Sequence, residues 1–252
     1  MDLRVSIEKA VEVLFHLHAA TGPLGVSALG RELGLPKSSA HRLLSALRHR
    51  DLVEQDASGR YRTGIGLVAL GLGALHSQPL LAAARPILER EAAALAETVF
   101  LVGARGGRLF VLDEAEGPAF LRAAPRVGQE VPAHATAVGK LYLALAGDQL
   151  ARREFPLPRF TPRTLCDAEV LSSALRGVRE SGLAHSDDEW QPGLSATAAP
   201  ILLRGELAAA LAVAAPGARL APAERARAGE RLLAAAREVG ARLSGAAQAA
   251  PR

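Results

Sequence analysis

Apolar positions recur at helical spacing through the first third of the chain. Ile7, Ala10, Val11, Leu14, Leu17 and His18 form one such face, and Thr21-Gly22-Pro23 ends the element. Ser27 is placed to cap a short second helix carrying Ala28, Leu29 and Leu33, with Gly34 where a left-handed C-terminal cap belongs. Pro36 opens a third helix that runs to about Arg50. The segments 52–55 and 60–63 then flank Asp56-Ala57-Ser58-Gly59, which predicts a β-hairpin.

Residues 64–97 read as a helical linker. Leu67, Leu70, Leu72 and Leu75 precede a polar break at His76-Ser77-Gln78-Pro79, and a long helix follows through Leu81, Ile87, Leu88 and Leu95. From Val99 the pattern becomes α/β. Strands at 99–104 and 109–115 flank Gly106-Gly107, a two-residue hairpin signal. Further strands are expected near 119–123, 183–186, 196–202 and 207–214. Helices are expected near 137–145 and 168–181, and a last amphipathic helix starts at Pro222. The Ala-rich end, 246–252, reads as a disordered tail.

Composition narrows this picture. With 252 residues and 49% apolar types, the chain has enough material for a real core in one large or two modest domains. A single cysteine, Cys166, can neither staple the chain nor build a thiolate zinc site. Asp2, Glu8 and Glu12 interrupt the first twenty residues, which argues against a secretory signal. The longest uncharged apolar run, 64–75, is about half of the ~20 residues a membrane helix requires. A cytoplasmic protein with no membrane partner is therefore expected. The net charge of +4 suits a nucleic-acid binder or an enzyme equally.

Where the charge lies is more telling. Between Leu35 and Arg62, six cations (Lys37, Arg42, Arg48, Arg50, Arg60, Arg62) face three acids (Asp51, Glu54, Asp56). On the third helix Ala40, Leu43, Leu44 and Leu47 make one buried stripe. Ser38, His41, Arg42, Ser45, Arg48 and His49 make the opposite one, in which every member donates hydrogen bonds and none is acidic. A short helix before it and a basic-tipped hairpin after it fit a winged helix-turn-helix. The outer stripe would enter the major groove, and Arg60 and Arg62 would meet phosphates or the minor groove.

The run Leu33-Gly34-Leu35-Pro36-Lys37-Ser38-Ser39-Ala40-His41-Arg42-Leu43-Leu44 resembles the DNA-binding module of IclR-type transcriptional regulators, as do Leu52-Val53-Glu54-Gln55 and Gly59-Arg60-Tyr61-Arg62. Val131-Pro132-Ala133-His134-Ala135-Thr136-Ala137-Val138-Gly139-Lys140 resembles that family's ligand-domain signature. Gly182-Leu183-Ala184-His185-Ser186-Asp187-Asp188-Glu189, with Gly193 and Ala198-Ala199-Pro200-Ile201, resembles a second one. Order and spacing agree from about Ser6 to about Leu243. The resemblance implies an α+β chain with an N-terminal winged helix-turn-helix (1–63), a helical dimerising linker (64–97) and a C-terminal GAF-like α/β effector-binding domain (98–245). It also implies dimers, often paired into tetramers, on double-stranded operator DNA. The DNA-binding candidates are Ser27, Lys37, Ser38, Ser39, His41, Arg42, Ser45, Arg60 and Arg62.

For the effector, a small-residue turn enters a helix around Ala135–Gly139, offering free backbone N–H groups and the positive end of a helix dipole. The same features describe either an anion seat or a plain helix start capped by Thr136, and the resemblance favours the seat. His134, Ala135, Thr136, Ala137 and Gly139 are the candidates there, with Ser186 and Asp187 at the presumed pocket mouth. The second pocket wall, by resemblance, is formed near 196 and 212–214, where many relatives carry Ser or Cys. This chain has Ala196, Ala212 and Ala214. The oxygens of a glyoxylate- or pyruvate-like ligand would lack partners there, which favours a flatter, more apolar organic acid such as an aromatic one. Asp187, Asp188 and Glu189 after His185 suit a solvated loop better than a metal site. Trp190, the only tryptophan, either covers the pocket or packs on the sheet.

Enzyme readings fail on particular residues. Gly139-Lys140 is not a phosphate loop, because His134 stands where its first Gly is required and Leu141 where Ser or Thr would hold magnesium. His16 and His18, two apart on a helix, cannot share a zinc ion; His16 is expected at the surface and His18 partly buried. Nothing local activates Cys166, and the Gly64/Gly66 and Gly71/Gly73 pairs follow no strand. No cofactor, metal or catalytic residue is expected.

Overall fold

The computed structural model describes residues 3–118, 126–150 and 156–249. Contacts divide the chain into two compact units, Met1–Ser77 and Gln78–Arg252. The strand expected near 119–123 lies outside the described residues.

The first unit holds α1 (Leu3–Ala19), α2 (Val26–Glu32), α3 (Lys37–Arg48), β1 (Val53–Gln55), β2 (Tyr61–Thr63) and α4 (Ile65–Ser77). β1 and β2 pair antiparallel as the predicted hairpin, and Leu24 bridges to Tyr61 beside them. Val13, Leu17, Leu29, Ala40, Leu44, Leu47, Val53 and Tyr61 form the core. That core corrects the face assigned to the first helix. Ala10, Val13, Leu14 and Leu17 pack inward, whereas Ile7, Val11 and His18 are exposed. His16 instead lies 2.5 Å from Glu32 Oε2, the reverse of the expectation for the two histidines. The helix is apolar on two sides, so periodicity alone could not choose between them. Gly64 and Gly66 serve close packing: a Cβ on either would come within 3 Å of the Asp51 carbonyl oxygen.

The second unit holds α5 (Pro79–Leu95), β3 (Thr98–Arg105), β4 (Arg108–Ala115), β5 (Glu130–Val131), α6 (Ala137–Leu145), α7 (Ala168–Ser181), β6 (Ala184–Asp187), β7 (Leu194–Leu203), β8 (Glu206–Pro216) and α8 (Pro222–Ala249). The strands form one antiparallel sheet in the order β5-β4-β3-β8-β7-β6. Gly106 and Gly107 both have positive φ, the geometry that joins β3 to β4 in two residues. Side chains alternate along each strand. Val99 and Leu101 of β3, with Leu211 and Val213 of β8, pack under α5 and α8. Phe100 and Val102, with Ala210, Ala212 and Ala214, face α6. α5, read from sequence as half of a linker, is thus core of this unit: Ala84, Ile87, Leu88 and Ala92 are fully or almost fully buried. The last helix continues to Ala249, past the start of the expected tail, while 250–252 lie outside the described residues. No single described helix is long and apolar enough to cross a membrane.

Candidate functional site

In the first unit, α3 buries Ala40, Leu44 and Leu47 and leaves Lys37, Ser38, His41, Arg42, Ser45, Arg48 and His49 exposed, with Ser39 half-buried. The helix begins at Pro36, whose extended backbone (ψ 140) ends the preceding turn, and no side chain caps its first N–H groups. Ser39, His41, Arg42 and Ser45 line one shallow concavity together with Ser6 of α1. Arg42 and Lys37 make no ion pair or hydrogen bond with another described residue. The hairpin cations are held differently. Arg62 bonds to Glu54, its register partner across β1 and β2, and Arg60 bonds to Ser58 and lies 3.4 Å from Asp56. Arg48 reaches from α3 to Gln55 at 2.7 Å. Ser27 is exposed in the first turn of α2 but does not cap it; Gly25, already extended, takes that position two residues earlier.

In the second unit, a pocket opens between α6 and the sheet, with a cavity of about 50 Å³. The sheet supplies the floor, where β7 and β8 present the methyl groups of Ala196, Ala212 and Ala214. Ala196 pairs in register with Ala214, Ala198 with Ala212, and Ser186 of β6 lies beside Ala196. Phe100, Val102, Val111, Val131 and Leu194 complete the apolar walls, and Thr136, Ala137, Val138 and Trp190 close the α6 side. Among the described residues, none that lines the pocket is charged.

These two geometries can be set beside known proteins. Residues 6–57 match the IclR helix-turn-helix domain, and residues 72–241 match the family described as bacterial transcriptional regulator IclR C-terminal. The chain belongs to the IclR family. It is 30% identical over 220 residues to the HTH-type transcriptional repressor AllR of Escherichia coli strain K12, an alignment covering 85% of this chain and 81% of AllR. Among solved structures it resembles a transcriptional regulator from Alicyclobacillus acidocaldarius, at 28% identity and TM-score 0.80, covering 94% of this chain and 98% of that one. An IclR homologue from Microbacterium hydrocarbonoxydans complexed with 4-hydroxybenzoate is 26% identical with TM-score 0.81, covering 95% of this chain and 99% of that one. The α+β architecture, with an N-terminal winged helix-turn-helix and a C-terminal GAF-like domain, is that of the family.

Within this IclR chain the pocket gathers Thr136, Ala137, Ser186, Ala196, Ala212 and Ala214, but not the other four effector candidates. His134 is 4% exposed and turns to the Pro158 carbonyl at 2.8 Å, with its ring against Phe160. Ala135 is fully buried. Asp187 alternates to the far side of β6 and pairs with Arg225. Gly139 sits so close to the preceding turn that a Cβ would fall 2.1 Å from the Ala133 carbonyl oxygen. Thr136 caps α6, accepting from the Gly139 N–H at 3.1 Å while donating to the Pro132 carbonyl at 2.7 Å, so its proton is already engaged.

Lys140 and Glu189, neither of them an effector candidate from sequence, stand next to the pocket-lining Thr136, Ala137 and Trp190. Lys140, on the inner side of α6, donates to Glu189 Oε1 at 2.5 Å, and both side chains are almost fully buried. Burial pushes the Glu189 carboxyl above its ordinary pKa, an effect that the Lys140 ammonium opposes. The stretch 187–189 is therefore not a solvated acidic loop, and among the described residues no group of three His, Cys, Asp or Glu side chains could hold a metal ion. His185 is half-buried against Thr197, with its pKa lowered by burial and by nearby Arg225. The signal for Lys140 was present in the sequence: a lone cation inside the apolar run 137–145 implies a buried counter-charge.

Proposed function

We propose that this chain binds double-stranded operator DNA as a homodimer or homotetramer and that a small organic acid in the second unit alters that binding. The DNA-binding part is 1–63, and the effector-binding part is 98–245 together with α5, which is built into its core. One observation carries the DNA reading: the exposed row of α3 consists wholly of donors and is uncovered within its own unit. Ser38, Ser39, His41 and Arg42 reach base edges, with Ser45 along the same row. The uncapped first turn of α3, with Lys37, takes a phosphate, as does Ser27 in the first turn of α2. Arg60 and Arg62 exchange Asp56 and Glu54 for phosphate on docking. Self-association is supported by the apolar row Ile7, Val11 and Phe15 on α1 and by Ile65, Val68, Leu70 and Leu72 on α4, all exposed within the unit. Two linked modules gain effective concentration that a single short half-site lacks.

Gel shifts with DNA from upstream of the chain's own gene test this reading. If six to ten phosphates are neutralised, affinity falls by about three to five orders of magnitude between about 50 and 200 mM salt. Absence of a specific shift at every salt concentration would refute DNA reading by α3.

The alanine floor supports an aromatic acid, the class that the Microbacterium homologue's complex exemplifies. Burying a ring against it is worth roughly 2 kcal/mol, or about thirtyfold in affinity. Calorimetric titration is expected to rank 4-hydroxybenzoate and benzoate above glyoxylate and pyruvate by about that factor. The opposite order would exclude the aromatic class.

A further inference from the structure

The segment carrying Trp190 between β6 and β7 is tied down from two directions. Its side-chain tie is the buried pair between Lys140 of α6 and Glu189. Its backbone ties come from 156–167. Thr164 Oγ1 donates to the Glu189 carbonyl at 2.6 Å, Thr161 Oγ1 donates to the Asp188 carbonyl, and Arg163 lies 3.5 Å from the Asp188 carboxylate. Asp188 itself has φ 55, a conformation that non-glycine residues adopt at a cost of order 1 kcal/mol and keep only when their surroundings fix them. Its N–H bonds to the Leu194 carbonyl at 3.0 Å, and its carboxylate accepts from the Gly193 N–H. The 156–167 segment is in turn pinned to the start of α6, where His134 meets the Pro158 carbonyl. The next residue along the strap is Trp190, which lines the pocket.

A buried ion pair adds little net stability compared with two apolar side chains of similar size. Its effect here is geometric. We infer that Lys140 is a positioning residue that, by holding Glu189 while Thr161 and Thr164 hold the backbone, fixes Trp190 as a rigid wall of the pocket. This rests on the reading of the pocket as an effector site. The ligand then meets a preformed aromatic surface and need not order it on binding, which is where affinity is otherwise lost. The two signature segments, Gly139-Lys140 and 182–189, are in this view mechanically one unit, joined through a side-chain bond.

Trp190 is the chain's only tryptophan, so its emission reports this wall alone. Two full-length variants test the inference. In K140M/E189M the pair is removed together, leaving no buried lone charge, and T164V deletes the bond to the Glu189 carbonyl along with those that the hydroxyl accepts from the Phe160 and Thr161 N–H groups, with little change of side-chain size. Acrylamide quenching of Trp190 is measured in the free chain, benzoate affinity by calorimetry, and folding by thermal melting. The double variant is expected to melt near the parent temperature, with the quenching constant raised about twofold or more as the segment loosens. Its benzoate affinity should fall about tenfold, the cost of ordering one large side chain. T164V should move both readouts in the same direction by less. Unchanged quenching in a folded double variant overturns the inference, as does a loss of benzoate affinity with quenching unaltered. Should the double variant fail to fold, T164V decides by the same two readouts. If the parent chain does not bind benzoate, the effector reading fails instead, and quenching alone still decides whether the pair holds the wall.

Discussion

Arg42→Ala is expected to weaken operator binding by about two to four orders of magnitude, since a lost base contact costs about 1–3 kcal/mol and a dimer loses two. The side chain is exposed on α3 and makes no ion pair or hydrogen bond with another described residue, so its removal leaves no orphaned partner. Ala is also the better helix former, and the melting temperature should hold or rise slightly. Fluorescence anisotropy with labelled upstream DNA, alongside benzoate calorimetry, separates the alternatives. Operator affinity should collapse while benzoate affinity stays within about twofold, because Arg42 and the pocket belong to different compact units. Equal damage to both activities would make Arg42 a structural residue, and the assignment of α3 to the groove would lose its main support.

Gly139→Ala is expected to be the most destabilising single methyl addition in the second unit. Its Cβ would lie 2.1 Å from the Ala133 carbonyl oxygen and 2.2 Å from the Ala133 Cα, and both are backbone atoms that no side-chain rotation relieves. Either α6 moves off the 132–136 turn or the turn moves off the sheet. Each removes Thr136 and Ala137 from the pocket wall. A loss of about 3–5 kcal/mol, a large share of a domain's usual stability, is expected in urea denaturation. Gly177→Ala is the matched control: it lies exposed in α7 with nothing within 4 Å of the added carbon, and should be neutral or stabilising by up to about 1 kcal/mol. A Gly139→Ala chain as stable as its parent would mean that this turn and helix are not as closely packed as described.

Much of the fold could be read from local pattern. The bounds of α6 and α7 coincide with the expected 137–145 and 168–181, because small residues and an Asp167 cap mark their starts and Gly182 marks the end of α7. The two hairpins follow from turn chemistry in the same way. What pattern missed was decided at long range. β5 is two residues long, too short for any period, and exists because it pairs with Leu109 and Phe110 of β4. The inward side of α1 depended on where α3 and β2 would lie. His134 and Asp187 were assigned to the pocket from their place in motifs, yet strand alternation and the Pro158 carbonyl turn both away. The Lys140–Glu189 bond joins positions 49 apart in sequence, which composition and spacing do not connect.

The alanines of the pocket floor have a consequence for how a protein of this fold diversifies. Ala196, Ala212 and Ala214 sit on two neighbouring strands whose backbones are fixed by their own ladder and by the α5–α8 layer behind. Replacing one alanine by serine, cysteine or valine would alter the cavity's depth or add a single hydrogen-bonding group, leaving the ladder intact. On the proposed effector reading, a lineage carrying this scaffold exchanges one ligand for another by single-codon steps, while the helix-turn-helix is inherited unaltered.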